Sequence, residues 1–262
     1  MNDNVMPNRI ANVPDFNQLT IDPNNWNKSF ILTADVNLAG LTFTQAPIAP
    51  DTSTSDGFQG TQFKGVFDGN SHTISNLTII ASTKDFIGLF GYVGSGGQIQ
   101  NLGVEDVNIT GPYYVGGLTG YNSYDTLTAC FWDIQTSEIS DGVGNVNPDP
   151  NGAMGKTTAE MMTLSTFTDA NGLWDFLGET TNGTDDYWRM CVDGVDYPRL
   201  TWEYIQDGDF ACPDGVGFDD LQRFGDDWLL TYSTPFYGAD ANGDKTVNFL
   251  DFAILADNWL NP

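Results

Sequence analysis

The sequence predicts a mainly β protein, in which a short parallel β-helix (a solenoid) is followed by a small two-helix domain. Short apolar runs separated by Gly, Asn, Asp and Ser fill residues 15–132, as expected of successive strands. Two motifs recur within that stretch. A pair of helical patterns then recurs near the C terminus, which indicates a second domain of a different type.

The strand region contains no long helical periodicity. Its runs, in chain order, are FILTADVNL, FKGVFDGN, HTISNLTII, FIGLFGYV, QIQNLGVEDVNIT, YVGGLTGYN and LTACFW. ISNLTI at 74–79 matches IQNLGV at 99–104, offset by 25, and GLFGY at 88–92 matches GLTGY at 117–121, offset by 29. Repeats of this length are typical of coils that stack on one another. An antiparallel sandwich with chance similarity is the alternative.

The repeats also predict local geometry. The alternation of ISNLTI breaks at Asn76, and a bend there would direct Ile74, Leu77 and Ile79 inward. We expect Asn76 to stack on Asn101 of the next coil. The glycines of GLFG and GLTG are expected where φ is positive or where another backbone comes close.

The Gly-Leu-any-Gly cores at 88–91 and 117–120, preceded by ILTADVNL and FKGVFDGNSHTISNLTI, resemble GLUG-repeat proteins. The resemblance covers residues 17–135, under half of the chain. It implies a parallel β-helix of the kind found in bacterial surface, adhesin-like and secreted proteins. It implies no single activity, because such a repeat is a scaffold.

The irregular segment 136–205 completes a first domain of residues 1–205. Thr157 as N-cap with Glu160 three residues later predicts a short helix. The aromatic segments LWDFL, DYWRMC and YPRLTW are strand-like, and we expect them to cap or pack against the coils. Cys191 and Cys212 could form a disulfide in an oxidising compartment; three unpaired cysteines are the alternative.

The composition changes at residue 206, which opens a second domain, 206–262. This segment has 11 Asp, no Glu and two basic residues. FDDLQRFGDDWLL at 218–230 and FLDFAILADNWL at 249–260 are offset by 31. The aligned pairs include Phe218 with Phe249, Asp220 with Asp251, and Trp228 with Trp259.

The loop before the second helix predicts a calcium site. Calcium takes six to eight oxygens, and a 12-residue EF-hand loop supplies them from positions 1, 3, 5, 7, 9 and 12. Those positions hold Asp240, Asn242, Asp244, Thr246 (through its carbonyl), Asn248 and Asp251. A solvated acidic turn is the alternative. Lys245 stands at position 6 where a sharp turn favours Gly, and a left-handed conformation there would cost about 1–2 kcal/mol.

Paired loop–helix units with Asp at position 12 resemble dockerin modules. The resemblance implies calcium-dependent docking to cohesins on cell-surface polysaccharide-degrading complexes. The first unit departs from the pattern, because positions 3 and 5 are Ala211 and Pro213. Asp214 could substitute as a ligand, but we predict one strong site, in the second loop. Instead of docking to a partner, the module could be a calcium-stabilised cap on the neighbouring domain.

The charge excludes several partners. With 35 acidic and nine basic residues the formal net charge is −26, which disfavours nucleic acid and anionic membrane surfaces. No stretch approaches the ~20 apolar residues that span a bilayer, so membrane insertion is not expected. Residues 1–16 lack the apolar run of an export signal. We expect a mature extracellular or cell-surface chain.

The favoured interpretation is a non-catalytic structural or adhesion protein stabilised by calcium. The polar residues 1–16 would be loose in a monomer, so we consider that head-to-tail self-association orders them. The alternative is a polysaccharide-binding or polysaccharide-hydrolysing component of a cell-surface complex, docked through the C-terminal module. Candidate hydrolytic carboxylates are Asp68, Glu105, Asp106 and Asp133. Candidate glycan-binding aromatics are Tyr113, Tyr114, Tyr121 and Tyr124. The single histidine, His72, is interpreted as a turn residue at the start of a strand.

Overall fold

A computed structural model describes residues 7–123, 127–137, 139–169, 174–177, 187–200, 208–211, 216–232 and 239–259. The chain divides into two compact units, residues 1–174 and residues 175–262. Residues 175–205, which the sequence assigned to the capping segment, therefore group with the C-terminal unit. Cys212, Pro213, Asp214 and Tyr124 lie outside the described residues.

Parallel strands dominate the N-terminal unit. The strands are β1 (Asn8–Ile10), β2 (Ser29–Leu32), β3 (Val36–Asn37), β4 (Val66–Ser75), β5 (Thr78–Ile80), β6 (Phe90–Val93), β7 (Gln98–Glu105), β8 (Asn108–Thr110), β9 (Thr119–Asn122), β10 (Leu127–Thr128), β11 (Cys130–Asp133) and β12 (Ala153–Lys156). The largest sheet has the order β1-β2-β4-β7-β11-β12, with β3 beside β4 and β10 beside β7. Two further parallel pairs are β5 with β8 and β6 with β9. The predicted mainly β architecture is confirmed at this level.

The three sheets are visited in a fixed order. After β4 in the largest sheet come β5 and then β6, and after β7 in the same sheet come β8 and then β9. Each strand of one round pairs with its counterpart in the next. Long connections of this kind are required for parallel pairing, which a tight hairpin cannot provide.

Apolar side chains from these sheets form one core. Phe67 and Ile74 on β4 are fully buried, as are Ile99, Leu102 and Val104 on β7. Burial alternates along β4, because successive strand side chains point to opposite faces. Burial of a side chain of this size contributes about 1.5–3 kcal/mol relative to leaving it exposed.

The strand register shows that the predicted alignment of 74–79 with 99–104 is wrong. Ile74 pairs with Val104, and Ile79 pairs with Ile109, so the structural offset is 30 residues. A bulge in β4 between Asp68 and His72 changes the offset from 32 to 30 residues, and neither value is the predicted 25. The sequence similarity of the two motifs therefore does not mark equivalent positions in adjacent rounds.

The predicted bend at Asn76 is confirmed, although its neighbour is different. Asn76 has φ +58°, and Ile74, Leu77 and Ile79 are all fully buried. The adjacent bend is at Asp106, with φ +47°, because Asn and Asp tolerate the left-handed region. The expected stacking of Asn76 on Asn101 is wrong, since the Asn101 amide instead donates to Asp68 at 3.1 Å.

The glycine motifs occupy equivalent positions, as predicted. Phe90 pairs with Thr119 and Tyr92 with Tyr121, an offset of 29. A Cβ added at Gly91 would lie 2.3 Å from the Ala49 carbonyl oxygen. The close-approach explanation is confirmed for Gly88, Gly91 and Gly120 but not for Gly117, whose nearest contact would be the Trp132 side chain at 3.8 Å.

Residues 7–21 are held by contacts within the chain, which corrects two expectations for that part of it. Strand β1 pairs with β2, and helix α1 (Val13–Ile21) follows within the region that was expected to be strands throughout. The Asn12 side chain caps α1 by accepting from the Asp15 backbone N–H at 2.9 Å. Phe16 and Leu19 are buried in the core. A nine-residue helix with one short apolar face gave too little periodicity to be recognised.

Residues of the segment 153–169, together with Trp174, pack against β11. Helices α2 (Thr158–Met161) and α3 (Ser165–Thr168) follow β12, and the predicted capping box of Thr157 and Glu160 is present. The rings of Phe167 and Trp174 lie 4.8 Å from Phe131, centroid to centroid. The expected packing of the LWDFL segment against the coils is thus confirmed for Trp174.

The C-terminal unit is small and mixed. It contains an antiparallel pair, β13 (Trp188–Arg189) with β14 (Arg199–Leu200), and two helices, α4 (Phe218–Asp226) and α5 (Phe249–Asp257). Both helices lie where the sequence predicted them. Cys191 is disulfide-bonded, whereas Cys130 is a free, buried thiol. Burial raises the pKa of Cys130 to about 12, so this thiol stays protonated at neutral pH.

The described ranges hold no helix with the length and apolar character needed to cross a membrane.

Candidate metal centre

The two loop–helix halves of the C-terminal unit are closed by the same hydrogen bonds. In the first half, Asp220 Oδ1 accepts from the Ala211 N–H at 2.8 Å, and its Oδ2 accepts from the Gly217 N–H at 2.7 Å. In the second half, Asp251 accepts from the backbone N–H groups of the equivalent residues, which lie 31 positions later in the chain than those of the first half. Its Oδ1 accepts from the Asn242 N–H at 3.0 Å and its Oδ2 from the Asn248 N–H at 2.9 Å. The duplication predicted from the sequence is therefore present in three dimensions.

The aromatic contacts between the halves are reciprocal. The Phe218 ring meets Trp259 edge-on at 5.3 Å, and the Phe249 ring meets Trp228 edge-on at 4.9 Å. Each half supplies one phenylalanine and one tryptophan to its partner. Reciprocal contacts of this kind mark an approximate two-fold axis within the unit.

Asp227 links the end of the first half to the start of the second half. Arg223 Nε lies 3.0 Å from Asp227 Oδ2, and the same oxygen accepts from the Ala239 N–H at 3.0 Å. Asp227 is mostly buried, so this contact fixes where the chain enters the second loop.

Most of the predicted calcium ligands contact one another in the second loop. Asp244 Oδ2 accepts from the Asn242 amide at 3.1 Å and the Asn248 amide at 3.4 Å. The Asn248 amide also donates to the Thr246 carbonyl at 2.9 Å. Asp240 lies under the turn, where it accepts from the Lys245 N–H at 2.9 Å. The six predicted ligand residues, which lie between positions 240 and 251, thus belong to a single closed turn.

This turn brings together three carboxylates, with Lys245 as its one basic residue. Asp240 and Asp251 are fully buried, and Asp244 is tied to the same turn through two amides. A buried carboxylate is costly unless hydrogen bonds or a counter-charge compensate it. The two amide groups that converge on Asp244 offer the positive ends of dipoles, but no full positive charge.

The residues present fit an oxygen-coordinated cation. Carboxylate, amide and carbonyl oxygens are the ligands that calcium prefers, and an oxygen that accepts one N–H retains a second lone pair. Within the described ranges no three His, Cys, Asp or Glu side chains group as a metal site. The three predicted carboxylates, Asp240, Asp244 and Asp251, are therefore not grouped in that way here, and the fit rests on the donor types of the loop.

The turn adopts the strained conformation that the sequence predicted. Lys245, at position 6, has φ +73°, and Gly243, at position 4, has φ +74°. Glycine adopts this conformation without penalty, whereas lysine does not. The loop therefore carries a local cost at Lys245 that the rest of the turn must offset.

The carboxylates considered for hydrolysis support the fold. Asp68 accepts from the Gln100 amide at 2.8 Å and from the Asn101 amide. Asp133 is 1% exposed and accepts from the backbone N–H groups of Gln135 and Thr136. His72 is buried on β4, with Nδ1 3.3 Å from Asp35 Oδ1. The turn-residue interpretation is wrong for this histidine, because its side chain points into the core face of the strand.

The tyrosines considered for glycan binding belong to a row of rings. Tyr92 stacks on Tyr121 at 4.6 Å, and Phe86 stacks on Tyr114 at 4.9 Å. Tyr113 and Tyr114 are exposed. Phe58 and Phe86, which extend this row, were not identified from the sequence. Phe86 could have been found, because an aromatic residue precedes each of the two Gly-Leu-any-Gly motifs.

No protein-family model matches the chain, and no solved structure matches it. The chain is similar to Halomucin of Haloquadratum walsbyi, with 37% identity over 98 residues. That match covers 37% of this chain and 1% of Halomucin. A putative Gly-rich membrane protein of Evansella cellulosilytica is 36% identical over 69 residues, which are 25% of this chain and 8% of that protein. The chain thus spans a small fraction of both relatives.

Proposed function

We propose that this chain is a calcium-stabilised, non-catalytic extracellular protein with a structural or adhesion role. Its N-terminal unit is a GLUG-type parallel β-helix, and its C-terminal unit is a dockerin-like pair of loops with one calcium site.

The order of the strands supports the solenoid. The chain passes from the largest sheet to β5, to β6 and back to the largest sheet at β7, and all the pairings between rounds are parallel. A bend with positive φ follows β4 at Asn76 and follows β7 at Asp106, as a coil that turns at a fixed corner requires. A scaffold of this kind implies no single activity.

One observation carries the calcium site: only the second of two equivalent loops has oxygen-bearing side chains at positions 3 and 9. Asn242 and Asn248 stand where the first loop has Ala211 and Gly217, although both loops are closed by an equivalent aspartate. Asn242 Oδ1 accepts from the Asp244 N–H and Asn248 Oδ1 from the Leu250 N–H, each at 2.8 Å, and each oxygen keeps a second lone pair for a cation. When bound, calcium would neutralise the carboxylates of the turn and add binding free energy to folding.

Two observations support the extracellular location. Cys191 is disulfide-bonded, and disulfides persist mainly in oxidising compartments. One of the similar proteins is named as a membrane protein, which is consistent with a site at the cell boundary. Extracellular calcium would keep a site of modest affinity filled.

Self-association is part of the proposal, but helix α1 restricts its geometry. Phe16 and Leu19 of α1 are buried against the first strands, so that end of the sheet is covered. Head-to-tail stacking would require α1 to move. Association through another surface does not.

A second candidate is docking to a cohesin-like protein of a polysaccharide-degrading complex. Phe218 is 80% exposed and Phe249 is 74% exposed, and the two residues are equivalent positions of the duplicated unit. Exposed large apolar residues of this kind favour a protein partner. A pull-down with a cohesin domain, with and without a chelator, tests this candidate directly.

The calcium proposal is tested by isothermal titration of the full chain after removal of divalent ions with EGTA. We expect one calcium per chain and a stabilisation of about 2.7 kcal/mol at a hundredfold excess over Kd. Asp244→Ala should abolish the calcium heat. Asp219→Ala, which removes an exposed acid outside both loop closures, should leave it intact. No heat with the wild-type chain, and the same melting curve with and without EGTA, would remove the calcium site.

A further inference from the structure

A shallow groove lies between two segments of the N-terminal unit, residues 23–27 and 58–64. Its volume is about 580 Å³, which is within the range of ligand sites. Asn24, Asn27, Thr61 and Gln62 contribute amides and a hydroxyl to its lining, and Phe58 contributes an aromatic ring. The groove is independent of the C-terminal unit and of the calcium loop.

The base of the groove is held rigidly. The Trp26 carbonyl accepts from the N–H groups of Lys64 and Gly65, each at 2.8 Å. The Trp26 ring is buried, with its indole N–H donated to the Leu19 carbonyl at 2.9 Å. The two segments that border the groove are therefore joined along its base before any ligand binds, which lowers the entropic cost of binding.

The aromatic side of the groove is also fixed in place. The Phe58 ring lies 4.6 Å from Tyr92 and 5.4 Å from Phe86, and Tyr92 stacks on Tyr121. Glycine at position 60 makes room for this ring, because a Cβ there would lie 2.8 Å from Phe58 Cζ. Phe58 is half-buried, so part of its ring remains available to a ligand.

The charge of the groove differs from that of the chain. The chain has 35 acidic residues, yet none of the residues that line the groove is acidic, and Lys64 is the charged residue among them. Such a lining does not attract cations, and its one positive charge belongs to a chain with a net charge of −26, which repels strongly anionic ligands. It offers neutral donors and acceptors, since each amide side chain provides both.

We propose that this groove binds a neutral oligosaccharide. Sugar hydroxyls pair with groups that both donate and accept, and the apolar C–H face of a sugar ring packs on an aromatic side chain. The groove supplies amide groups that donate and accept in Asn24, Asn27 and Gln62, and it supplies an aromatic ring in Phe58. A glycan ligand would give the N-terminal unit the adhesive role that its scaffold does not supply by itself.

A peptide fits the groove less well. Peptide binding by strand addition uses exposed backbone N–H and C=O groups. At the base of this groove the N–H groups of Lys64 and Gly65 are already donated to Trp26. The remaining polar groups are side-chain amides and a hydroxyl, which suit a hydroxylated ligand.

The test is a titration of the full chain with cellohexaose, xylohexaose and mannohexaose. Polygalacturonate and a neutral Gly/Gln peptide serve as comparison probes. We expect at least one neutral sugar to bind with Kd below about 1 mM, corresponding to about −4 kcal/mol. Phe58→Leu, which keeps apolar volume but removes the ring, and the double variant Asn24→Ala/Gln62→Ala should each weaken binding about tenfold or more.

Asn108→Ala is the matched control, since Asn108 is an exposed amide on β8 away from the groove. It should bind the sugar as the wild type does, and all variants should show the wild-type circular dichroism and melting temperature. EGTA should not change the affinity, so the calcium site and the glycan site can fail separately. The proposal is overturned by no neutral sugar binding, by tighter binding of the peptide or of polygalacturonate, or by groove variants that bind normally.

Discussion

The first loop of the C-terminal unit ends at Asp220 and the second at Asp251, and both aspartates accept hydrogen bonds from equivalent backbone N–H groups. The loops differ in what surrounds that closure. The second loop places Asn242 and Asn248 around Asp244, whereas the first has Ala211 and Gly217 at the corresponding positions.

This difference separates two roles that are usually combined in a calcium loop. Closing the loop against its helix requires one buried carboxylate and two backbone N–H groups, and both halves have them. Holding a cation requires additional oxygens, which are concentrated in the second half. The first half therefore serves as an internal reference, because it shows what the loop does without a full donor set.

The largest expected effects come from removing the two closing carboxylates. Asp220→Ala leaves three N–H groups without their acceptor, those of Phe210, Ala211 and Gly217. Removing one partner of a buried charged contact costs about 3–5 kcal/mol, so we expect a loss of about that size in the local stability of α4. Asp251→Ala should destabilise α5 by a similar amount. Amide hydrogen exchange of the two helices measures each loss.

The calcium response distinguishes these two variants. Asp220→Ala should keep the stabilisation by calcium, and Asp251→Ala should lose it, because Asp251 is both a closing group and a proposed ligand. Asp257→Ala, an exposed acid near the end of α5, is the control for charge alone. Loss of the calcium response in Asp220→Ala as well would mean that calcium acts on the whole unit and not on the second loop.

A smaller effect is expected from giving the first loop the missing oxygens. The triple variant Ala211→Asn, Pro213→Asp and Gly217→Asn copies positions 3, 5 and 9 of the second loop, and Asp209 already stands at position 1. We expect the stoichiometry in isothermal titration to rise from one calcium per chain to two. A second site filled to tenfold above its Kd adds about 1.4 kcal/mol. An unchanged stoichiometry in a folded variant would show that these side chains are not sufficient for binding.

Much of the fold could be predicted from local sequence. The bend at Asn76, the close approach at Gly91 and the caps at Thr157 and Glu160 depend on one residue type in one conformation, so the sequence shows them directly. The duplication of the C-terminal unit was equally visible, because Phe, Asp and Trp recur at a constant offset. The site residues could be named for the same reason.

Other features depend on distant contacts and could not be read from the sequence. The register of β4 against β7 has offsets of 32 and 30 residues on the two sides of the bulge between Asp68 and His72, and the similar motifs at 74–79 and 99–104, offset by 25, are not paired. Helix α1 is held by tertiary packing of Phe16 and Leu19 and has little periodicity of its own. The groove beside Phe58 joins segments that are far apart in the chain, and no local pattern indicates it.

The smallest expected effect concerns the strained position in the second loop. Lys245 has φ +73°, a conformation that costs a residue with a Cβ about 1–2 kcal/mol relative to glycine. Lys245→Gly should therefore stabilise α5 by about 1 kcal/mol relative to Lys245→Ala, since both variants lose the charge and only the alanine keeps the Cβ. Gly243→Ala, at φ +74°, should be destabilising by a similar amount. Hydrogen exchange in EGTA measures these differences without calcium. Equal stability of the glycine and alanine variants would show that the turn relaxes around Lys245, and the second loop would then differ from the first in its oxygen donors alone.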